Sequence, residues 1–164
     1  MTRAFLGLGS NVGERLDNLR EAAGRLRERG IEVRRSSRIY ETAPVGGPDG
    51  QGDFLNAVIE VDTDSDARAL LDACLAVEEE MGRVRSERWG PRVIDLDLLT
   101  FDDQTIDEPD LVVPHPRMHE RMFVLAPLLE LDADPMLPGG RAVATLRLGG
   151  ASISEVRPFA PPLV

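Results

Sequence analysis

The segment Phe54-Leu55-Asn56-Ala57-Val58-Ile59-Glu60-Val61-Asp62 has the alternation of a β-strand that is packed on one face. Its apolar face is continuous and consists of Leu55, Ala57, Ile59 and Val61. A face of this kind needs helices to cover it. One helix is predicted directly after the strand, capped by Ser65 and ended by Gly82. Its buried stripe recurs at helical spacing and comprises Leu70, Cys74, Val77 and Met81.

Further elements are predicted on either side of this strand and helix. Residues 3–9 alternate as a first strand, residues 31–42 as a second and residues 93–101 as a fourth. Between the first two strands a helix is indicated by apolar residues at helical spacing: Leu16, Leu19, Ala23 and Leu26. The order β-α-β-β-α-β predicts an α+β, ferredoxin-like fold, with an antiparallel sheet and helices on one face.

The second half of the chain is predicted to be less regular. After Thr105 it is rich in proline and turn residues, with one short helical stretch over 118–129. Residues 139–164 form a short C-terminal extension, either a small extra strand pair or a wrapped arm. With 164 residues the chain is long enough for one packed domain, and we expect a single domain over 1–164.

Composition excludes several classes of function. The net charge of −10 disfavours nonspecific binding to nucleic acid or to anionic membranes, so neither is expected as a partner. All 19 basic residues are arginine, which excludes a Walker-type phosphate loop and Schiff-base chemistry because both need lysine. Cys74 is the only cysteine, so no intrachain disulfide can form and a reducing, cytoplasmic setting is expected. No signal peptide or membrane-spanning run is predicted.

The clearest chemical signal is Ile94-Asp95-Leu96-Asp97-Leu98. Side chains alternate along a strand, so Asp95 and Asp97 share one face at a Cα separation of about 6.5–7 Å. Two carboxylates so placed repel each other, and one or two magnesium ions would relieve that repulsion. The alternative is a solvated acidic face on an edge strand.

Four arginines immediately precede this strand, in the segment 83–92: Arg83, Arg85, Arg88 and Arg92. Gly82 and Pro91 separate the segment from its neighbours, and it has neither helical nor strand periodicity. Guanidinium groups bind phosphate oxygens in pairs, so arginines beside metal-binding carboxylates indicate a polyphosphate site. The alternative is a basic surface patch.

Two weaker signals accompany these. Phe54 and Asn56 share one face of the third strand, where a ring and a primary amide could stack on a flat heterocycle and bind its edge. His115 lies between two prolines shortly after the fourth strand, and Arg117, Arg121 and Phe123 follow it at the spacing of a short helical turn beside the site.

Several motifs recur in the order found in one known family. They are Gly9-Ser10-Asn11, Tyr40-Glu41-Thr42-Ala43-Pro44-Val45-Gly46, Asp53-Phe54-Leu55-Asn56-Ala57, Gly82-Arg83-Val84-Arg85, Arg88-Trp89-Gly90-Pro91-Arg92, Asp95-Leu96-Asp97 and Pro114-His115-Pro116-Arg117. Over about residues 3–138 the chain closely resembles 6-hydroxymethyl-7,8-dihydropterin pyrophosphokinase of folate biosynthesis. The resemblance implies transfer of a pyrophosphoryl group from ATP to the hydroxymethyl oxygen of a reduced pterin, leaving AMP.

The resemblance also implies roles for individual residues. Asp95 and Asp97 would coordinate two magnesium ions, and Arg83 and Arg92 would be mobile catalytic arginines. Contacts with ATP are implied for a further set: Glu78, Arg85, Arg88, Trp89, His115 and Arg121. The pterin would be bound by another: Thr42, Val45, Phe54, Asn56 and Phe123. Only small-molecule substrates are implied as partners, and a monomer is expected.

Two other functions stay open at this point. A nucleotidyl transferase or cyclase could use the same aspartate pair with two metal ions. A noncatalytic ferredoxin-like module could bind RNA or a regulatory ligand, although the negative charge and an aromatic content of 4% disfavour RNA.

Overall fold

The computed structural model describes residues 1–44, 50–82, 92–141 and 156–164. Its strands are β1 (Thr2–Ser10), β2 (Glu32–Ser36), β3 (Ile39–Thr42), β4 (Phe54–Thr63), β5 (Asp95–Phe101), β6 (Ile106–Glu108), β7 (Leu111–Val113) and β8 (Arg157–Ala160). Its α-helices are α1 (Arg15–Glu28), α2 (Ala67–Glu80) and α3 (Met122–Leu131). A 3₁₀ turn at Met118–Glu120 leads into α3.

The main sheet is antiparallel and centred on β1 and β4, which pair from Thr2–Thr63 to Ser10–Leu55. The strand order is β5-β1-β4-β3-β8, and β2 also pairs with β4. The two middle strands are therefore the first and third of the β-α-β-β-α-β order, which confirms the predicted ferredoxin-like fold. β6 and β7 form a separate hairpin.

Each face of the sheet has its own core. On one face α1 and α2 cover the alternating apolar residues of the central strands, including Leu6, Ile59 and Leu98. On the other face α3 covers Phe5 and Val58. The sequence predicted helices 1 and 2 over the sheet but did not predict that the later helix would cover part of its opposite face.

The predicted single strand over 31–42 is wrong in detail, because it is divided into β2 and β3. The interruption lies at Ser37, whose hydroxyl accepts a hydrogen bond from the backbone N–H of Val58 at 3.0 Å. A backbone carbonyl would occupy this position in a continuous ladder. The register of β2 against β4 also shifts between Val33 and Arg35.

The predicted cap of α2 is also wrong. Asp66 is the N-cap, and its carboxylate accepts from the backbone N–H of Ala69 at 2.9 Å. The hydroxyl of Ser65 instead hydrogen-bonds the hydroxyl of Thr63 at 2.7 Å. A carboxylate one residue later gives better access to the unpaired N–H groups of the first turn.

The C-terminal extension adds a strand to the sheet. β8 pairs antiparallel with β3, with Glu41 opposite Arg157 and Ile39 opposite Ala160. Residues 142–155 lie outside the described part of the chain, so the two alternatives for the extension, a strand pair or a wrapped arm, both stay predictions. In the described part of the chain, no helix is long and apolar enough to cross a membrane.

Replacing Asp66 with alanine should lower the free energy of unfolding by about 1 kcal/mol, because the first turn of α2 loses its side-chain cap. Urea denaturation followed by far-UV circular dichroism measures the change. Asp64→Ala is the matched control, since Asp64 is an exposed carboxylate two residues away and its ion pair with the N-terminus is long at 3.8 Å. Equal effects of the two substitutions would contradict the assignment of the cap.

Candidate active site

A cavity of about 490 Å³ opens on the part of the sheet face beside α3. Its floor is formed by three neighbouring strands, β5, β1 and β4, in that order. Nine of the residues predicted for the site line it: Thr42, Phe54, Asn56, Arg92, Asp95, Asp97, His115, Arg121 and Phe123. The fold therefore brings together residues that are up to 81 positions apart in the chain.

Glycines form the middle of the floor. Gly7 lies between Asp97 on β5 and Val58 on β4, and Gly9 lies between Asp95 and Asn56. A Cβ atom on Gly9 would approach Asn56 Oδ1 to 3.1 Å, closer than most real contacts. Because Gly7 and Gly9 have no side chains, this part of β1 leaves space for a ligand to reach from the carboxylates to the amide.

Sequence reasoning did not assign these two glycines to the site. The signal was present in the alternation of the first strand, where both lie opposite the apolar face of Leu6 and Leu8. Their position between Asp97 and Asn56 depends on strand order and register, which required the sheet to be built.

The carboxylates of Asp95 and Asp97 both line the cavity, while Leu96 between them is buried in the core on the other face. The prediction that the two aspartates share one face is confirmed. Both residues are only partly buried, so their oxygens can be reached from the cavity. The described residues contain no group of three or more histidine, cysteine, aspartate or glutamate side chains that could hold a metal ion.

These two carboxylates have the chemistry of magnesium ligands. Mg²⁺ prefers oxygen ligands and is commonly held by one or two carboxylates, with substrate phosphates and water completing its shell. The cavity supplies the carboxylates on one wall, and cationic groups for phosphate lie beside them: Arg92, Arg117 and Arg121. A nucleotide could therefore complete a metal shell that the protein begins.

Glu78 was predicted to contact ATP, but it is only 2% exposed and does not line the cavity. Its carboxylate accepts from the backbone N–H of Leu96 at 2.8 Å. Because Leu96 lies between the two aspartates, Glu78 holds their strand against α2.

Burial, with the charges of Glu78 and Asp97, raises the pKa of the Cys74 thiol to about 12. The thiol is thus an inert part of the core.

Arg92 is positioned by Asn11, at the end of β1. The backbone N–H of Arg92 donates to Asn11 Oδ1 at 2.7 Å, and the backbone N–H of Asn11 donates to the carbonyl of Arg92 at 2.9 Å. Asn11 also donates from Nδ2 to Gln51 and to the carbonyl of Gly52, each at 3.2 Å. One buried amide therefore joins the segment before β5 to the segment before β4.

His115 is fixed beside β5. Its backbone N–H donates to the carbonyl of Leu99 at 2.8 Å, and its Nδ1 accepts from the backbone N–H of Arg117 at 3.2 Å. Burial, reinforced by the positive charge of Arg121, lowers the pKa of His115 to about 4 despite the opposing effect of Asp95. The ring is neutral at pH 7, and with Nδ1 accepting it carries its proton on Nε2, which can donate to an anionic oxygen.

The opposite end of the cavity carries aromatic rings and a neutral amide. Asn56 is buried and donates from Nδ2 to the hydroxyl of Thr42 at 2.7 Å, which fixes the orientation of its amide. The rings of Phe54 and Phe123 line the same space, and the guanidinium of Arg121 lies 5.7 Å from the centre of the Phe123 ring. This end suits a flat heterocycle with polar edges.

The remaining predicted site residues lie outside the described part of the chain. They are Val45, Arg83, Arg85, Arg88 and Trp89. Arg117, which the sequence placed beside the site without assigning it a role, also lines the cavity.

Comparisons with known proteins agree with this geometry. Residues 5–133 match the profile of the 7,8-dihydro-6-hydroxymethylpterin-pyrophosphokinase (HPPK) family. The chain is 47% identical over 129 residues to the 2-amino-4-hydroxy-6-hydroxymethyldihydropteridine pyrophosphokinase of Bacillus subtilis, covering 78% of this chain and 77% of that one. It is 43% identical over 159 residues to the protein of the same name in Methylorubrum extorquens, covering 95% and 99%.

A solved HPPK-DHPS structure in complex with substrates has a similar fold. It superimposes with a TM-score of 0.69 at 15% sequence identity, over 88% of this chain. The chain spans only 42% of that longer protein, so the match supports the fold and no more.

A pH dependence follows from the environment of His115. Its pKa is lowered from 6.5 to about 4, so between these values the unfolded chain binds a proton that the folded chain does not. The contribution of His115 to stability should therefore decrease as the pH falls from 6.5 to 4. NMR titration of the ring should give a midpoint near pH 4. The free energy of unfolding should decrease less between pH 6.5 and pH 4 in His115→Gln than in the wild-type chain. A midpoint at or above 6.5 would contradict the structure.

Proposed function

Because the chain belongs to the 7,8-dihydro-6-hydroxymethylpterin-pyrophosphokinase family, we propose that it transfers a pyrophosphoryl group from ATP to 6-hydroxymethyl-7,8-dihydropterin. The products are AMP and the pterin diphosphate, an intermediate for folate synthesis. The observation that carries the proposal is the continuous cavity that joins two carboxylates and several cations to an aromatic, amide-bearing end.

The charged end suits the triphosphate of ATP. Asp95 and Asp97 would hold Mg²⁺, with two ions expected from the resemblance. Bound there, Mg²⁺ would neutralise phosphate charge and favour departure of AMP. Arg92 and Arg121 would bind phosphate oxygens through paired N–H groups, and neutral His115 would donate a hydrogen bond from Nε2. We assign Arg83, Arg85, Arg88 and Trp89 to the same substrate from the family resemblance.

The neutral end suits the pterin. The rings of Phe54 and Phe123 would stack on its two faces, while Asn56 and groups around Thr42 and Val45 would bind its polar edge. The glycine floor of β1 gives room for the hydroxymethyl group to point from this end toward the carboxylates. The reaction then needs little covalent chemistry from the protein, because in-line placement and charge neutralisation supply most of the catalysis.

Product analysis tests the reaction. Incubation with ATP, Mg²⁺ and the reduced hydroxymethylpterin should give AMP and a diphosphorylated pterin in equal amounts, measured by anion-exchange chromatography. A 6-methyl analogue is the control substrate, since it lacks the acceptor oxygen and should give no AMP. Formation of ADP would indicate an ordinary kinase, and release of free pyrophosphate would indicate nucleotidyl transfer. Either result would overturn the proposal.

Asp97→Asn preserves the size of the side chain and removes its charge. The rate of AMP formation at saturating substrates should fall by at least about a hundredfold, the loss typical of removing one charge-stabilising group. Asp103→Asn is the matched control, because Asp103 is exposed in the turn that follows the same strand and should leave the rate unchanged. Similar rates for the two variants would exclude Asp97 from the site.

A further inference from the structure

A group of charged residues joins the C-terminal extension to both ends of the segment 43–53. We call it the C-terminal clamp and define it as Arg15 on α1, Glu41 on β3, Asp53 before β4 and Arg157 on β8. Arg157 Nη2 lies 3.1 Å from Glu41 Oε1 and 3.1 Å from Asp53 Oδ2. One guanidinium therefore bridges Glu41, two positions before the segment, and Asp53, at its end.

Arg15 also bridges Glu41 and Asp53. Its Nη1 donates to Glu41 Oε2 and to the backbone carbonyl of Asp53, both at 2.9 Å. The guanidinium also lies 5.4 Å from the centre of the ring of Phe159, the third residue of β8. β8 thus contributes to the clamp twice, directly through Arg157 and through the ring beside Arg15.

The clamp is adjacent to the pterin end of the cavity. Glu41 and Asp53 each precede a cavity-lining residue, Thr42 and Phe54 respectively, and these two are opposite each other in the β3–β4 pairing. Hydrogen bonds from Arg15, and secondarily from Arg157, hold the pKa of Glu41 below its usual value although partial burial opposes this. Glu41 therefore stays ionised and bridges both arginines at neutral pH.

We propose that Arg157, carried by the C-terminal strand, is a positioning residue for pterin binding: it fixes the spacing of Thr42 and Phe54 through Glu41 and Asp53. This inference rests on the proposed function. β8 is itself anchored, because Ala160 and Leu163 pack against the main core and the backbone N–H of Leu163 donates to the hydroxyl of Ser36 at 3.2 Å. The extension is then a part of the substrate site and not only an additional edge strand.

The expected effect is selective for one substrate. Arg157 is 53% exposed, and half-exposed ion pairs contribute little to folding, so Arg157→Ala should leave the thermal midpoint nearly unchanged. The dissociation constant of the pterin should rise about three- to tenfold, because Thr42 and Phe54 are then no longer held at a fixed spacing before the ligand binds. The dissociation constant of a non-hydrolysable ATP analogue should stay within about twofold of the wild-type value, because the nucleotide end lies across β1 from the clamp.

The experiment measures both constants by isothermal titration calorimetry on the full chain. Arg34→Ala is the matched control: Arg34 is 49% exposed and forms comparable ion pairs with Glu32 and Asp62, and none of these three residues lines the cavity. It should change neither constant. Arg157→Lys should recover part of the pterin affinity, since an ammonium can still reach two carboxylates.

The outcomes separate the two proposals. If the wild-type chain binds no reduced pterin, the proposed function is refuted, and with it the role of Arg157 in pterin binding. If the wild-type chain binds pterin but Arg157→Ala binds it equally well, the clamp alone is refuted. A parallel loss of pterin and nucleotide affinity with a lowered thermal midpoint would also refute it, because that pattern belongs to a general structural role.

Discussion

The pairing of β1 with β4 on one side and β5 on the other is the constraint on which the rest of the structure depends. Antiparallel pairing sends alternate side chains to opposite faces, so a fixed register places Leu6, Leu8 and their neighbours in one core. The same register places Gly7 and Gly9 between the aspartates of β5 and the amide of β4. A shift of one residue in either pairing would exchange the core for the cavity.

The cavity contains both negatively and positively charged side chains, and their charges partly compensate one another. Two carboxylates on one strand would repel each other, and arginines from other segments lie on the same walls. Neutral His115, with its lowered pKa, adds a hydrogen-bond donor without adding another charge. Two buried side chains hold this arrangement in place: Glu78 on α2 accepts from the amide of Leu96 between the aspartates, and Asn11 after β1 fixes the backbone of Arg92.

Much of this could be predicted from the sequence, because the periodicities of strands and helices are local. The two-residue spacing of Asp95 and Asp97 predicted that they share one face of their strand. The same spacing predicted a common face for Phe54 and Asn56 on the third strand. What could not be predicted depends on partners distant in the chain. The role of Ser37 in dividing a strand required Val58, and the burial of Glu78 required the amide of Leu96. The C-terminal strand was unreadable because a short edge strand takes its register from β3, not from its own pattern.

The central claim is that the aspartate pair and a nucleotide together form a divalent-cation site. Electron paramagnetic resonance with Mn²⁺ in place of Mg²⁺ tests it most directly, with a non-hydrolysable ATP analogue present. The account predicts two Mn²⁺ ions per chain, coupled at a separation of about 4 Å, and loss of that coupling when Asp95 and Asp97 are both replaced with asparagine. Unchanged manganese binding and coupling in the double variant would contradict it.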